Sequence, residues 1–241
     1  MSTCNLACRY CDADTYSNHR MSLDTISQII KKALDYADHV KFIWHGGEPL
    51  LMGIQFYEKV VELQKTYKRE GQTINTLQTN GTLISQEWVD FFKANDFHVG
   101  VSLDGPPEVH NANRVFKSGQ GSFEQVMRGI RLLRENGVRF GVLAVITKET
   151  VRIGAKRFLD FFIENGIFSI GILRQRPALI IGRTDALPRE EFEKFAIELF
   201  DYWYSLDDPR IRIRELDAIL SRILSARSRV CIFSGDCVGG F

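Results

Sequence analysis

Stretches with apolar residues three or four apart alternate along this chain with short runs rich in β-branched and aromatic residues, and that alternation leaves few folds open. The helical stretches are Leu23 to Tyr36, Gln55 to Lys68, Gln86 to Ala94, Phe123 to Asn136 and Ala155 to Glu164. The strands between them are Val40 to Trp44, Thr73 to Leu77, His98 to Leu103, Arg139 to Val145 and Phe168 to Leu173. Strands separated by a helix pair in parallel, so the pattern predicts βαβ units around a parallel sheet, six at most. Asn136-Gly137 and Asn165-Gly166 read as helix stops, because Asn and Gly tolerate the left-handed conformation. Thr79-Asn80-Gly81 and Asp104-Gly105-Pro106 follow strands, which puts them at the carboxyl edge of the sheet, where α/β folds gather their functional groups. Beyond Leu173 come two further helices, Arg189 to Tyr204 and Leu216 to Ser225, and a turn-rich tail from Cys231 to Phe241.

The 241 residues suffice for one sizeable core. Lys and Arg number 31 against 30 Asp and Glu, a balance that gives no electrostatic reason to expect nucleic acid or a membrane surface as partner. The longest apolar runs, Val142 to Ile146 and Phe158 to Ile163, are too short for a membrane span or a signal-peptide core, so a soluble cytoplasmic protein is expected.

The five cysteines form two local groups, Cys4, Cys8, Cys11 and Cys231, Cys237, unlike the scattered framework of a secreted disulfide domain. Cys4, Cys8 and Cys11 sit close enough for one loop to wrap a single metal centre. A four-iron-four-sulfur cluster held by three thiolates keeps one iron free for an exogenous ligand. The alternative is a zinc site in a non-catalytic metal-binding α/β domain. Zinc prefers four Cys or His ligands, with His19 the nearest fourth. His39, His98 and His110 have no paired ligand spacing and receive no role.

The Cys-x3-Cys-x2-Cys loop with an aromatic, Tyr10, before its last cysteine resembles the hallmark of the radical S-adenosylmethionine (SAM) superfamily. The resemblance implies a 4Fe–4S cluster on Cys4, Cys8 and Cys11, SAM chelating the unique iron, and reductive cleavage of SAM to methionine and a 5'-deoxyadenosyl radical that takes hydrogen from substrate. It also implies a partial (β/α)6 TIM-like barrel, open on one side, with cluster and SAM at the carboxyl ends of the strands. His45-Gly46-Gly47-Glu48-Pro49 is similar to the segment that meets the SAM amino group, which brings in Gly46, Gly47, Glu48 and Pro49. Ser102 and Arg114 match residues that contact the cofactor in relatives. Gln78, Thr79 and Asn80 lie on the same rim, Asn80 being assigned to cofactor binding with Tyr10.

Within the superfamily, Phe42 to Leu51 with Gln78 to Leu83 resembles anaerobic sulfatase maturases and ribosomal-peptide maturases. The resemblance implies a peptide or protein substrate, a formylglycine or crosslinked product, and a reductant such as flavodoxin or ferredoxin. No catalytic residue is assigned. Cys231 to Gly240 looks like the opening of a SPASM extension, with Cys231 and Cys237 as first ligands of an auxiliary 4Fe–4S cluster. Two thiolates do not hold such a cluster, so either the chain continues in the full-length protein or the auxiliary cluster is absent. With only three residues before Cys4, the family's first strand also looks to be missing. The expected organisation is a radical SAM core over 1–185, a helical linker over 186–230 and an incomplete SPASM-like segment over 231–241.

Overall fold

The computed structural model describes residues 2–13, 19–67, 72–179 and 182–225. In chain order the elements are α1 Leu23–Tyr36, β1 Val40–Trp44, a 3-10 turn Pro49–Met52, α2 Ile54–Tyr67, β2 Thr73–Thr79, α3 Gln86–Ala94, β3 His98–Ser102, α4 Pro107–Asn113 and α5 Phe123–Glu135. They continue as β4 Phe140–Ile146, α6 Lys148–Ile153, α7 Ala155–Glu164, β5 Ser169–Arg174, α8 Arg189–Ser205, β6 Arg212–Ile213 and α9 Arg214–Ser225. The alternation expected of the α/β class is therefore present. The chain divides into two compact units, one of Met1–Leu103 with His110–Phe140 and Pro177–Thr184, the other of Asp104–Val109 with Gly141–Arg176 and Asp185–Phe241.

In the first unit β1, β2 and β3 pair in parallel, with Trp44 opposite Leu77 and Thr79 opposite Val101. Along β1 the residues alternate, so Phe42 and Trp44 face the helices while Lys41 and Ile43 face away and are exposed. Helix α1 starts where Ser22 accepts a hydrogen bond from Thr25 N, and it buries Ile26, Ile30 and Leu34 against Val60 of α2. Beside them Tyr57, Trp88, Phe91, Phe92 and Phe97 form an aromatic cluster in which Tyr57 meets Trp88 and Phe97 edge-on while Trp88 stacks on Phe92, each ring worth about 1.5–3 kcal/mol of burial. The polar Asn75 sits on the same face of β2. It is satisfied by Gln64 on both amide atoms and by Trp44 Nε1 at 2.9 Å.

In the second unit β4 pairs in parallel with β5, and β5 with β6. Helix α7 packs Phe158 and Phe162 beside Phe195 of α8, and α9 lies on β5. The segment after Leu187 thus packs on this unit through α8, β6 and α9. Strand β6 has two residues and runs directly into α9, too short to leave a periodicity in the sequence. Helix α6 is similarly short and is set by a capping box between Thr147 and Thr150. The helix stops fall where expected, with the left-handed residue the glycine in each case, Gly137 at φ 67° and Gly166 at φ 68°. Asn136 and Asn165 keep right-handed φ and donate from their side chains to the carbonyls of Leu132 and Phe161. Among the described residues no helix is long and apolar enough to cross a membrane.

Candidate functional site

All the predicted site residues that the structure describes lie in the first unit. The cysteine loop is pinned along its length. Ala7 N donates to Val115 O at 2.8 Å, Arg9 N to Asn113 O at 2.9 Å, and Leu6 forms an antiparallel bridge with Phe116. Those partners flank Arg114, whose guanidinium stands 5.3 Å from the Tyr10 ring centroid, so one hairpin fixes the loop and delivers a cation to its aromatic. His110 and Ser122 hold the base of that hairpin, with Nε2 and Oγ 3.0 Å apart and Ser122 Oγ donating to Arg114 O. His110, which the sequence singles out for no role, is fully buried there.

The Gly46-Gly47-Glu48-Pro49 strap follows β1. Gly46 at φ 92° and Gly47 at φ 55° occupy backbone space that side chains disfavour, which is the local reason for the glycine pair. Pro49 opens the 3-10 turn. Glu48 is completely buried, and both its oxygens are engaged. Oε1 accepts from Leu50 N at 3.0 Å and Thr79 Oγ1 at 2.7 Å, and Oε2 accepts from Asn80 N at 2.8 Å. Burial pushes this carboxyl above its ordinary pKa, against the pull of those three donors. Its own N–H donates to Thr3 O at 2.9 Å, which ties the strap to the residues just before Cys4.

Asn80 reaches the cysteine loop from the end of β2. Its Nδ2 donates to Asn5 Oδ1 at 2.8 Å and lies 3.8 Å from Cys4 Sγ. Ser102, half-buried at the end of β3, accepts from Gln78 Nε2 at 3.1 Å. The Gln78 amide lies across Gly100, where a Cβ would come within 2.2 Å of its oxygen. The structure thus ties Cys4, Glu48 and Asn80 together, Tyr10 to Arg114, and Ser102 to Gln78. Asn5 and Thr82 belong to the same network, and no sequence motif singles them out. The Asn80-Gly81 turn is visible in the sequence, but nothing in it announces that Thr82 Oγ1 accepts from Asn5 Nδ2 at 2.9 Å. Cys231 and Cys237 lie outside the described residues.

Cys4, Cys8 and Cys11 form no disulfide, and each is half-buried. Burial is the main reason that Cys4 sits above its ordinary pKa. The Leu6 N–H opposes the rise, Glu48 adds to it, the Asn80 amide opposes it and Cys11 adds. Among the described residues no group of three or more His, Cys, Asp or Glu side chains is arranged to hold a metal ion. The fit to a cluster therefore rests on the donor set: three cysteines outside any disulfide on one pinned loop, with the N–H of Leu6 3.4 Å from Cys4 Sγ and the Asn80 amide beside it to meet thiolate charge once a cation displaces the proton.

The family profile described as the Radical SAM superfamily matches residues 1–154. The chain belongs to the radical SAM superfamily. A 4Fe–4S cluster and SAM are the cofactors of that superfamily. This radical SAM chain is 35% identical over 254 residues to a cysteine-type anaerobic sulfatase-maturating enzyme of Clostridium perfringens, covering 100% of this chain and 68% of the relative. It is 35% identical over 266 residues to a serine-type anaerobic sulfatase-maturating enzyme of Bacteroides thetaiotaomicron, covering 98% of this chain and 63% of that one. The solved structure of native anSMEcpe with bound AdoMet and Cp18Cys peptide superimposes with a TM-score of 0.87 at 34% identity, over 95% of this chain and 65% of that one. The chain spans about two thirds of the length of these relatives, and their fold bears out the expected radical SAM partial barrel.

Proposed function

We propose that this chain is the SAM-cleaving part of an enzyme that removes hydrogen from a peptide or protein side chain, in the manner of the sulfatase-maturating relatives. When bound, the cluster and SAM supply the reductive cleavage of the sulfonium and with it a hydrogen-abstracting radical. The residues of the chain hold and orient. Cys4, Cys8 and Cys11 ligate the cluster. The Gly46-Gly47 backbone comes close to SAM with no Cβ in the way, and Pro49 fixes the exit of that strap. Glu48 keeps the strap in register with β2 through Thr79 and Asn80. Ser102 and the Arg114 guanidinium offer a hydroxyl and a planar cation to the ribose and carboxylate, and the Tyr10 ring faces that guanidinium.

The observation that carries this reading is the way the three-cysteine loop is hydrogen-bonded on one side to the Arg114 hairpin and on the other, through Thr3, to the glycine strap. A reductant such as flavodoxin or ferredoxin would deliver the electron, in a cytoplasm that keeps those thiols reduced. Cys231 and Cys237 would begin the ligand set of an auxiliary 4Fe–4S cluster completed by further chain. The reading keeps the divisions expected above, a core over 1–185 and an extension from 231.

The test is anaerobic reconstitution with iron and sulfide, chemical reduction, and chromatography of the products formed from SAM. Methionine and 5'-deoxyadenosine should appear with the native sequence and disappear in Cys8→Ala. Stoichiometric zinc with no cleavage would refute the reading. Sulfatase-derived peptides carrying Cys or Ser at the target position, followed by mass spectrometry, distinguish formylglycine formation from a crosslinking reaction.

A further inference from the structure

The turn after β2 holds two loops at once, and Asn80 is its hub. The Asn80 backbone N–H donates to Glu48 Oε2 at 2.8 Å and so holds the glycine strap. Its side chain faces the cysteine loop instead, with Nδ2 2.8 Å from Asn5 Oδ1 and 3.8 Å from Cys4 Sγ. The orientation of that amide is determined. Oδ1 accepts from Thr82 N at 3.0 Å and from Thr82 Oγ1 at 2.7 Å, so a flipped amide would set donors against donors. Thr82 Oγ1 accepts from Asn5 Nδ2 at 2.9 Å and closes a ring of three side chains. The amide is buried, and each of its two polar atoms already has a partner within the protein. Such a group is built as a brace.

We propose that Asn80 is a positioning residue that couples the cluster ligand Cys4 to the SAM-holding strap, its side chain bracing the cluster loop and tuning the cluster while its backbone braces Glu48. The proposal rests on the reading of Cys4, Cys8 and Cys11 as cluster ligands. An N–H aimed at a ligating sulfur stabilises the more negative, reduced state of an iron-sulfur cluster and so raises its reduction potential. Asn80→Ala removes the side-chain contacts and keeps the backbone N–H to Glu48, which separates tuning of the cluster from support of the strap. Asn80→Asp keeps an acceptor for Thr82 but puts a carboxylate where the donor stood.

The full chain is reconstituted anaerobically, and its cluster is titrated with reductant while the reduced signal is followed by electron paramagnetic resonance. Iron content and melting temperature are recorded for each variant. The expected midpoint potentials fall in the order native, Asn80→Ala, Asn80→Asp, with iron content close to native. An unmoved potential in the loaded protein, accompanied only by lower stability or lower iron content, is what simple structural support would give and overturns the proposal. If Asn80→Ala takes up no iron, Thr82→Val carries the test. It frees the Asn80 oxygen from one anchor and Asn5 from its acceptor, and a smaller downward shift supports the proposal while none overturns it. Failure of the underlying reading looks different, because the native chain would then form no iron-sulfur cluster whose signal responds to SAM.

Discussion

Replacing Gly129 by alanine probes the packing that holds the turn after β2. Gly129 is buried within α5, where alanine ordinarily gains about 0.8–1 kcal/mol over glycine through helix propensity. Here its Cβ would stand 2.5 Å from the carbonyl oxygen of Gly81 and 3.1 Å from Ile84 Cβ. Neither neighbour swings aside, since one is backbone and the other the branch point of a buried side chain. Gly81 has no slack of its own. It sits at φ 77°, and a Cβ there would come within 2.8 Å of Val101 Cγ1. Helix and turn must therefore separate by roughly half an ångström or more, an overpacking that costs about 1–3 kcal/mol. Set against the propensity gain, the net loss is on the order of 1 kcal/mol. For a chain of this length that lowers the melting temperature by roughly 2–4 °C. Anaerobic thermal unfolding of the cluster-free protein, followed by circular dichroism, measures it. A melting temperature equal to or above the native one would show that propensity wins and that the approach of α5 to the turn is not a constraint.

Thr79→Val keeps the shape of the side chain, but it takes a donor from Glu48 Oε1 and leaves Gly81 N without its 3.0 Å acceptor. A loss of about 1–3 kcal/mol in urea unfolding is expected for stranding buried polar groups, and a change within error would refute the role given to that hydroxyl. Arg114→Lys retains charge and loses the planar group over Tyr10. SAM affinity, read by calorimetry on the loaded protein, should fall about tenfold for contacts worth on the order of 1–2 kcal/mol, and unchanged affinity would remove Arg114 from the site. In the second unit Asp160 accepts from Lys156 Nζ at 2.6 Å and Tyr202 Oη at 2.5 Å, joining α7 to α8. Partial burial works against ionisation of Asp160, yet the two donors outweigh it and hold the carboxyl below its ordinary pKa. Its contribution is thus complete above the usual aspartate value of about 3.9 and is lost as pH falls through the lowered one. Asp160→Asn should flatten that acid limb in melting temperature against pH, and an unaltered limb would assign it to other carboxylates.

What can be read from the sequence divides along the distance between interacting residues. Helices α1, α3 and α7 fall on their expected bounds, because their amphipathic faces and the Ser22 and Ser85 caps are local signals. Strand β2 runs two residues past the expected Leu77, since apolar periodicity ends at that residue whereas Gln78 and Thr79 are strand residues that serve the rim. The cysteine loop is legible for the same reason as the helices: its donors are neighbours in the chain. Glu48 is legible as a position, and the direction of its carboxylate is not. Its partners Thr79 and Asn80 lie 31 and 32 residues away and meet it only because β1 and β2 pair in the register that sets Trp44 opposite Leu77. The bond between Asn5 and Thr82 spans 77 residues and depends on the same register. Groups that bind a cofactor can be recognised one motif at a time, whereas the groups that hold them in place are defined by strand pairing. A shift of β2 by one residue would leave every motif intact and separate Asn80 from both of its loops.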